Sequence, residues 1–254
     1  MNSIQTKQKL LLNISQSQPY PLLFTTISGA HLYGFASPDS DYDLRGVHIL
    51  PKKDVIGLYP LKETIEVSEI NSGLQLDLVT HDLKKFFTLL LKRNGYVLEQ
   101  LYSPLIVYTT PEHKKLKEIA LNCITRNHYY HYLGFAKNQW QLFNKNQEYY
   151  VKPLLYVYRV LLMGIYLLNT GKIEADLAKL NEEFKLPYIT DLINQKQTST
   201  EKCLLKNADV EFYIKEYQRL QKLLHTAFTQ SCLPNEPSAK SDLNDLLIQL
   251  RLKY

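Results

Sequence analysis

Thr26-Ile-Ser-Gly-Ala-His-Leu-Tyr-Gly-Phe-Ala-Ser-Pro-Asp-Ser-Asp-Tyr-Asp-Leu-Arg-Gly-Val-His-Ile-Leu50 concentrates more chemistry than any other part of the chain. A short apolar approach ends at Gly29. A loop with Gly34, Pro38, Asp39 and Ser40 follows, rich in turn residues. Asp41 and Asp43 then stand one residue apart, and Val47, Ile49 and Leu50 resume the apolar pattern. The run Leu22 to Ile27 is short, apolar and β-branched, which predicts a buried strand over Tyr20 to Ser28. Asp43 to Leu50 predicts a second strand, stopped by Pro51.

Outward from this stretch the pattern separates into two kinds. Residues 1–20 read as a helix or a loosely held segment, and 52–60 as a loop. Glu63 to Glu69 and Leu74 to Val79 alternate around Asn71-Ser72-Gly73, as a hairpin does. Leu74, Leu76 and Leu78 share one face; Gln75, Asp77 and Val79 share the other. Thr80 is expected to cap a helix from about His81 to Leu91. A short helix at Val97 to Tyr102 and a strand at Ile106 to Tyr108 complete this part. From Pro111, a residue suited to the first helical position, strand signal fades. Helices are expected over 112–125, 127–144, 149–169, 174–184, 201–206, 209–229 and 239–250, with Gly171 as a C-cap and 194–200 as a polar loop. The fold class is therefore α+β, with a small mixed sheet followed by an all-helical part. The expected domains are 1–110, catalytic, and 111–254, helical and closing the cleft.

Composition excludes several classes. The chain has 254 residues, 45% apolar, with a net charge of +5, enough to bury a core unaided. The cysteines, Cys123, Cys203 and Cys232, show neither disulfide nor metal-ligand spacing, which points to a reducing, cytoplasmic compartment. Lys7 and Lys9 lead into only Leu10 to Leu12, so no signal peptide is read. The apolar run Val160 to Leu168 is short of the ~20 residues that span a bilayer, and no membrane partner is expected.

Two aspartates at i and i+2 on a strand project to one face. Carboxylates so close repel unless a cation lies between them. Hard oxygen ligands suit Mg²⁺ or Mn²⁺, completed by substrate phosphates. Asp77, mid-strand on the face away from its leucines, is the natural third carboxylate. An isolated Asp-x-Asp is ordinarily a polar turn. Here a glycine-ended strand precedes it, its second Asp is embedded in a strand, and a third strand-borne Asp lies downstream. Gly29 leaves backbone amides open to a phosphate, and Arg45 adds positive charge on the face of Asp43.

Gly29-Ala30, ten residues and then Asp41-Tyr42-Asp43 resembles the signature of the DNA polymerase β-type nucleotidyltransferase superfamily. The fuller string resembles a narrower group, stand-alone bacterial and phage predicted nucleotidyltransferases that include a branch associated with RNA-repair gene clusters. Leu78 to Pro104, Tyr132 to Lys137 and the Lys152 to Arg159 helix ending in Thr170-Gly171 are similar to that group too. The resemblance implies that Asp41, Asp43 and Asp77 bind metal and that a nucleoside triphosphate is the substrate. An acceptor hydroxyl would attack its α-phosphate and release pyrophosphate. The superfamily usually has Gly-Ser, whose serine holds a triphosphate oxygen. This chain has Gly29-Ala30, with Ser28 adjacent and His31 in the same loop.

Lys152, Tyr156 and Arg159 fall at i, i+4 and i+7, on one helix face. Such a stripe is either a solvated face or a wall that neutralises triphosphate; the resemblance favours the second. His128-Tyr-Tyr-His-Tyr132 and Trp140 either stack bases or fill core, and Glu99 either acts as a base or supporting group at the site or serves as a cap or a surface ion pair. Three functions stay open: nucleotide addition to an RNA or tRNA end, transfer to a small molecule or protein side chain, and an inactive nucleotide- or RNA-binding module. Oligomeric state is not readable.

Overall fold

A computed structural model describes residues 2–59, 61–71, 74–145, 148–206 and 209–254. In chain order the helices are α1 (Asn2–Gln16), α2 (Gly29–Leu32), α3 (Lys52–Ile56), α4 (Leu83–Leu91), α5 (Gly95–Tyr102), α6 (Pro111–Ala120), α7 (His128–Asn144), α8 (Val151–Thr170), α9 (Leu177–Phe184), α10 (Pro187–Gln197), α11 (Val210–Gln230) and α12 (Lys240–Lys253). The strands are β1 (Leu22–Ile27), β2 (Tyr42–His48), β3 (Thr64–Asn71), β4 (Leu74–Asp82) and β5 (Ile106–Thr109). They form one mixed sheet in the order β3-β4-β2-β1-β5, with β2 and β4 parallel and the other neighbours antiparallel. The fold class is the α+β class expected.

The chain divides into two compact units. One comprises Met1–Gly29, Asp41–Cys123 and Pro237–Tyr254; the other comprises Ala30–Ser40 and Ile124–Glu236. The strand signal does end near residue 110, at Thr109. The sheet-bearing unit continues past it through α6 and includes α12. The helical unit holds the loop that follows Gly29.

In the sheet unit, alternation in β4 buries Leu76 and Leu78 while Asp77 and Val79 stay half-buried. Leu76, Leu78 and Leu44 pack with Leu11 and Ile14 of α1. In the helical unit α8 is the core element. It is the described helix long and apolar enough to cross a membrane, beyond what the Val160 to Leu168 run indicates, yet 78% of its apolar window is buried in the protein. Gly171 ends it in a left-handed turn, φ 69°, as its C-cap position requires.

Several local expectations are corrected. Strand β4 continues through Asp82, so Asp82 rather than Thr80 caps α4, accepting from the Lys84 amide. Thr80 is buried and pairs with His48 at 2.9 Å. Residues 52–56 are helical, not loop. Helix α10 runs to Gln197 through the expected polar loop. Residues 201–206 form no helix: Leu204 bridges to Tyr150, and Leu205 N donates to Tyr149 O. The tip residues Ser72 and Gly73 lie outside the described residues, while the β3–β4 pairing around them is in register.

Asp82 joins three parts of the sheet unit. Its carboxylate, 1% exposed, accepts from Lys84 N and Leu50 N and takes both ends of a 2.6 Å pair with Arg251 Nη2 on α12. Removing one member of a buried pair strands the other charge, which costs about 3 to 5 kcal/mol. Asp82→Ala is therefore expected to lower unfolding stability by about that amount in urea titration. A loss below about 1 kcal/mol would show the pair to be a surface contact in energetic terms.

Candidate nucleotidyltransferase site

Strand β1 delivers the chain to Ser28, whose amide donates to Asp43 O at 2.8 Å. Gly29 then turns with φ +61°, and a Cβ there would lie 1.9 Å from Asp43 Oδ2. Only glycine lets the Asp43 carboxylate pack against this turn. Ala30 and His31 follow on α2, expected as loop but wound into one short helical turn. The Ser28 hydroxyl is fully buried and has no hydrogen-bond partner among the described residues.

Asp43 and Asp77 are directly paired across the parallel β2–β4 ladder. Register neighbours share a face, so the two carboxylates stand side by side. Asp41 lies one residue ahead of β2. Burial raises the Asp43 carboxyl above its usual range; Arg45 opposes this, and the neighbouring Asp41 and Asp77 charges add to it. Three carboxylates thus act on one another here, with Asp43 at the centre. Ser68 on β3 donates to Asp77 Oδ1.

Arg45 lies on the Asp43 face, as its spacing implies, but is already engaged. Its Nη2 contacts Asp43 Oδ1 at 2.6 Å, Nη1 reaches Asp77 O at 2.9 Å, and Nε donates to Tyr96 OH at 3.0 Å. It orients the carboxylates and offsets their charge. Among the described residues no group of three Asp, Glu, His or Cys side chains stands together as a ready metal cage. The donor set is nevertheless hard oxygen on one sheet face, and Mg²⁺ commonly takes one or two carboxylates with substrate phosphates and water. The residues fit that mode of binding.

In the helical unit, the expected stripe on α8 divides by depth. Arg159 is 1% exposed, with its guanidinium 3.7 Å from the Tyr33 ring centroid and 5.7 Å from that of Tyr156. Tyr156 packs edge-on to Tyr33 and Phe35. Arg159 and Tyr156 thus underlie the loop that follows Gly29. Lys152, 37% exposed, pairs with Glu201. The other Glu201 oxygen accepts from the fully buried Lys196 at 2.7 Å and from Ser37 and Ser40 at 3.3 Å each. Glu201 N donates to Asp39 at 3.0 Å.

Sequence reading missed Lys196, Glu201 and Tyr96, whose partners Ser37, Lys152 and Arg45 are distant in sequence, and Ser68, whose partner lies across the β3–β4 hairpin. The aromatic run resolves mostly to core: Tyr132 is buried, and Trp140 stacks on Tyr217 at 4.2 Å. Glu99 is buried on α5, not a surface cap. His48 is buried, stacked on Tyr20, and pushed down to about 4 by burial.

A strand ending in a glycine turn, with paired aspartates on adjacent parallel strands, defines a nucleotidyltransferase-like α+β protein. The chain belongs to the RNA repair pathway DNA polymerase beta family, whose profile matches residues 4–249. An uncharacterized protein of Methanocaldococcus jannaschii is 31% identical over 240 residues, covering 91% of this chain and 95% of that one. An uncharacterized Bacillus subtilis protein is 31% identical over 156 residues, 60% of this chain and 58% of its own. A nucleotidyltransferase-like protein from Exiguobacterium sibiricum aligns over 99% of this chain and 78% of its own, with 12% identity and a TM-score of 0.34.

Gly29→Ala puts a side chain where the Asp43 carboxylate sits and costs about 1 to 2 kcal/mol for the left-handed backbone alone. It should lower the thermal midpoint although no charge changes; a variant with the wild-type midpoint would refute the close approach. For Glu201, burial favours the neutral form, but hydrogen bonds and charge from Lys152 and Lys196 outweigh it and hold the carboxyl near about 2. A depressed carboxyl stabilises the fold above its ordinary value of 4.5 and loses that contribution as pH falls toward 2. Urea midpoints of wild type should fall more steeply between pH 5 and 2 than those of Glu201→Gln; parallel curves would contradict the pairing.

Proposed function

We propose that the protein transfers a nucleoside monophosphate from a nucleoside triphosphate to an acceptor hydroxyl, with release of pyrophosphate, and that the acceptor is an RNA or tRNA end. The observation that carries this reading is the Asp43–Asp77 register pair beside the Gly29 turn. Mg²⁺ or Mn²⁺, held by Asp41, Asp43 and Asp77, supplies positive charge to the triphosphate and acidifies the attacking hydroxyl when bound.

The chain's own residues do the rest. The Gly29 and Ala30 amides take phosphate oxygens. The buried Ser28 hydroxyl, a donor without a partner among the described residues, stands directly behind the turn where the superfamily's serine would be and could turn toward a phosphate oxygen only with a local shift of the loop. His31 adds a contact from the same turn. Asp77 orients the acceptor and helps remove its proton. Arg45 opposes the burial that favours a neutral Asp43 and keeps its carboxylate aimed. Lys152 is the accessible cation for phosphate, with Tyr156 beside it; Arg159 acts from beneath Tyr33. Alignment and electrostatic stabilisation supply most of the rate in such chemistry. A reducing cytoplasm suits the unpaired Cys123, Cys203 and Cys232.

Incubation with Mg²⁺, labelled nucleoside triphosphates and mixed RNA tests the reading. Asp43→Ala should reduce pyrophosphate release by at least about a thousandfold, in line with losing a group that acts electrostatically in the transition state. Equal release from both proteins would leave an inactive binding module as the surviving alternative. Label appearing in a small molecule or a protein instead of RNA would select the other acceptor class.

A further inference from the structure

Helices α7 and α11 bury ordinary core residues, among them Ala136 on α7 and Leu220 and Leu224 on α11. Their outer shoulders differ. Tyr129 and Lys137 on α7 are eight residues apart, hence on one face. Gln218, Gln221, Lys222 and His225 on α11 fall at i, i+3, i+4 and i+7, also on one face. Together they line a groove of about 630 Å³. An amphipathic helix usually alternates charge sign on its exposed face. Here no Asp or Glu occurs anywhere from 119 to 147 or from 217 to 235. The cations Lys137 and Lys222 are exposed, and no carboxylate lines the groove with them.

The end of the groove near Tyr129 is aromatic. Tyr129 stacks on Phe228 at 4.5 Å, and its hydroxyl lies 3.3 Å from His225 Nδ1. Tyr130, 63% exposed, stands edge-on to Tyr129 at 5.1 Å and to Phe228 at 5.7 Å. An exposed ring braced by two others beside a cationic channel is the combination that holds single-stranded nucleic acid: cations track the phosphates and rings stack the bases. An acidic peptide would use the lysines alone and leave the ring and the glutamine amides without a function.

We propose that this groove binds a strand of RNA, with phosphates along Lys137 and Lys222, bases on Tyr130, and the Gln218 and Gln221 amides toward sugar and base edges. The proposal rests on the reading that the acceptor is RNA, and places RNA contact on the helical unit. The test is anisotropy of a fluorescein-labelled single-stranded RNA of mixed sequence, across a salt series. Lys137→Gln/Lys222→Gln should weaken binding at least about tenfold and flatten the slope of log K against log salt by about 1.4, two phosphate contacts' worth. Tyr130→Ala should weaken binding about tenfold, with the slope unchanged. No RNA binding by wild type, or unchanged affinity and slope in the double variant, overturns the proposal. So does displacement by polyglutamate as effective as that by unlabelled RNA, which would mark an acidic-protein face. Asp43→Ala separates the two readings: it should keep wild-type RNA affinity while losing pyrophosphate release. If release is equal in Asp43→Ala and wild type while the groove variants still lose RNA, the groove stands and the transferase reading falls.

Discussion

The eleven residues from Ala30 to Ser40 constrain everything around them. The chain leaves the sheet at Gly29, packs these residues into the helical unit, and returns to the sheet at Asp41. Two charged anchors hold the excursion. Arg159 lies flat on Tyr33, and Glu201 gathers Ser37, Ser40, Lys152 and Lys196. A buried Lys196 tolerates its charge only because Glu201 and Ser37 meet it at hydrogen-bond distance. Gly34 adds a steric condition: with φ +80° it leaves room for Asp176, whose carboxylate caps α9. The turn before the aspartates is thus fixed from within the helical unit, while the aspartates themselves belong to the sheet.

That division explains what each residue can do. Asp43 and Asp77 are placed by backbone register, the most rigid positioning a sheet offers. Arg45 and Ser68 saturate part of their lone pairs and keep the carboxylates aimed. Arg159, by contrast, is surrounded by rings. Its guanidinium packs on the Tyr33 ring, whereas Lys152 retains solvent access. Cation, ring and carboxylate each work where desolvation leaves them the right strength.

Much of this was legible in the residues themselves. The strand pair around Gly29, the β3–β4 hairpin, the face of Asp77 and the long helices α7, α8 and α11 follow from periodicity and punctuation, which are local. The α+β class and the kinship of the chain came from the same stretch. The errors share a different cause. Thr80 has the side chain of a cap, but burial against His48 and the extension of β4 moved that task to Asp82. Residues 194–197 are polar because Lys196 serves Glu201, not because they form a loop. Residues 201–206 look helical alone, yet pair with Tyr149 and Tyr150. For Thr80 and for residues 204–205 a partner far along the chain overrode local preference; Lys196 meets Ser37, 159 residues away, as well as Glu201. No short window of sequence contains both His48 and Thr80, both Tyr150 and Leu204, or both Ser37 and Lys196.

The closure of Arg251 on Asp82 has a consequence for how the molecule comes into being. Asp82 is made 169 residues before its partner, and chains fold domain by domain as they are synthesised. Helices α7 to α11 are synthesised before α12, so until then the Asp82 carboxylate and the Leu50 carbonyl lack their Arg251 donor. Contacts of such long sequence separation form slowly. The sheet-bearing unit, though begun first, is completed only when α12 is made, after every helix of the helical unit.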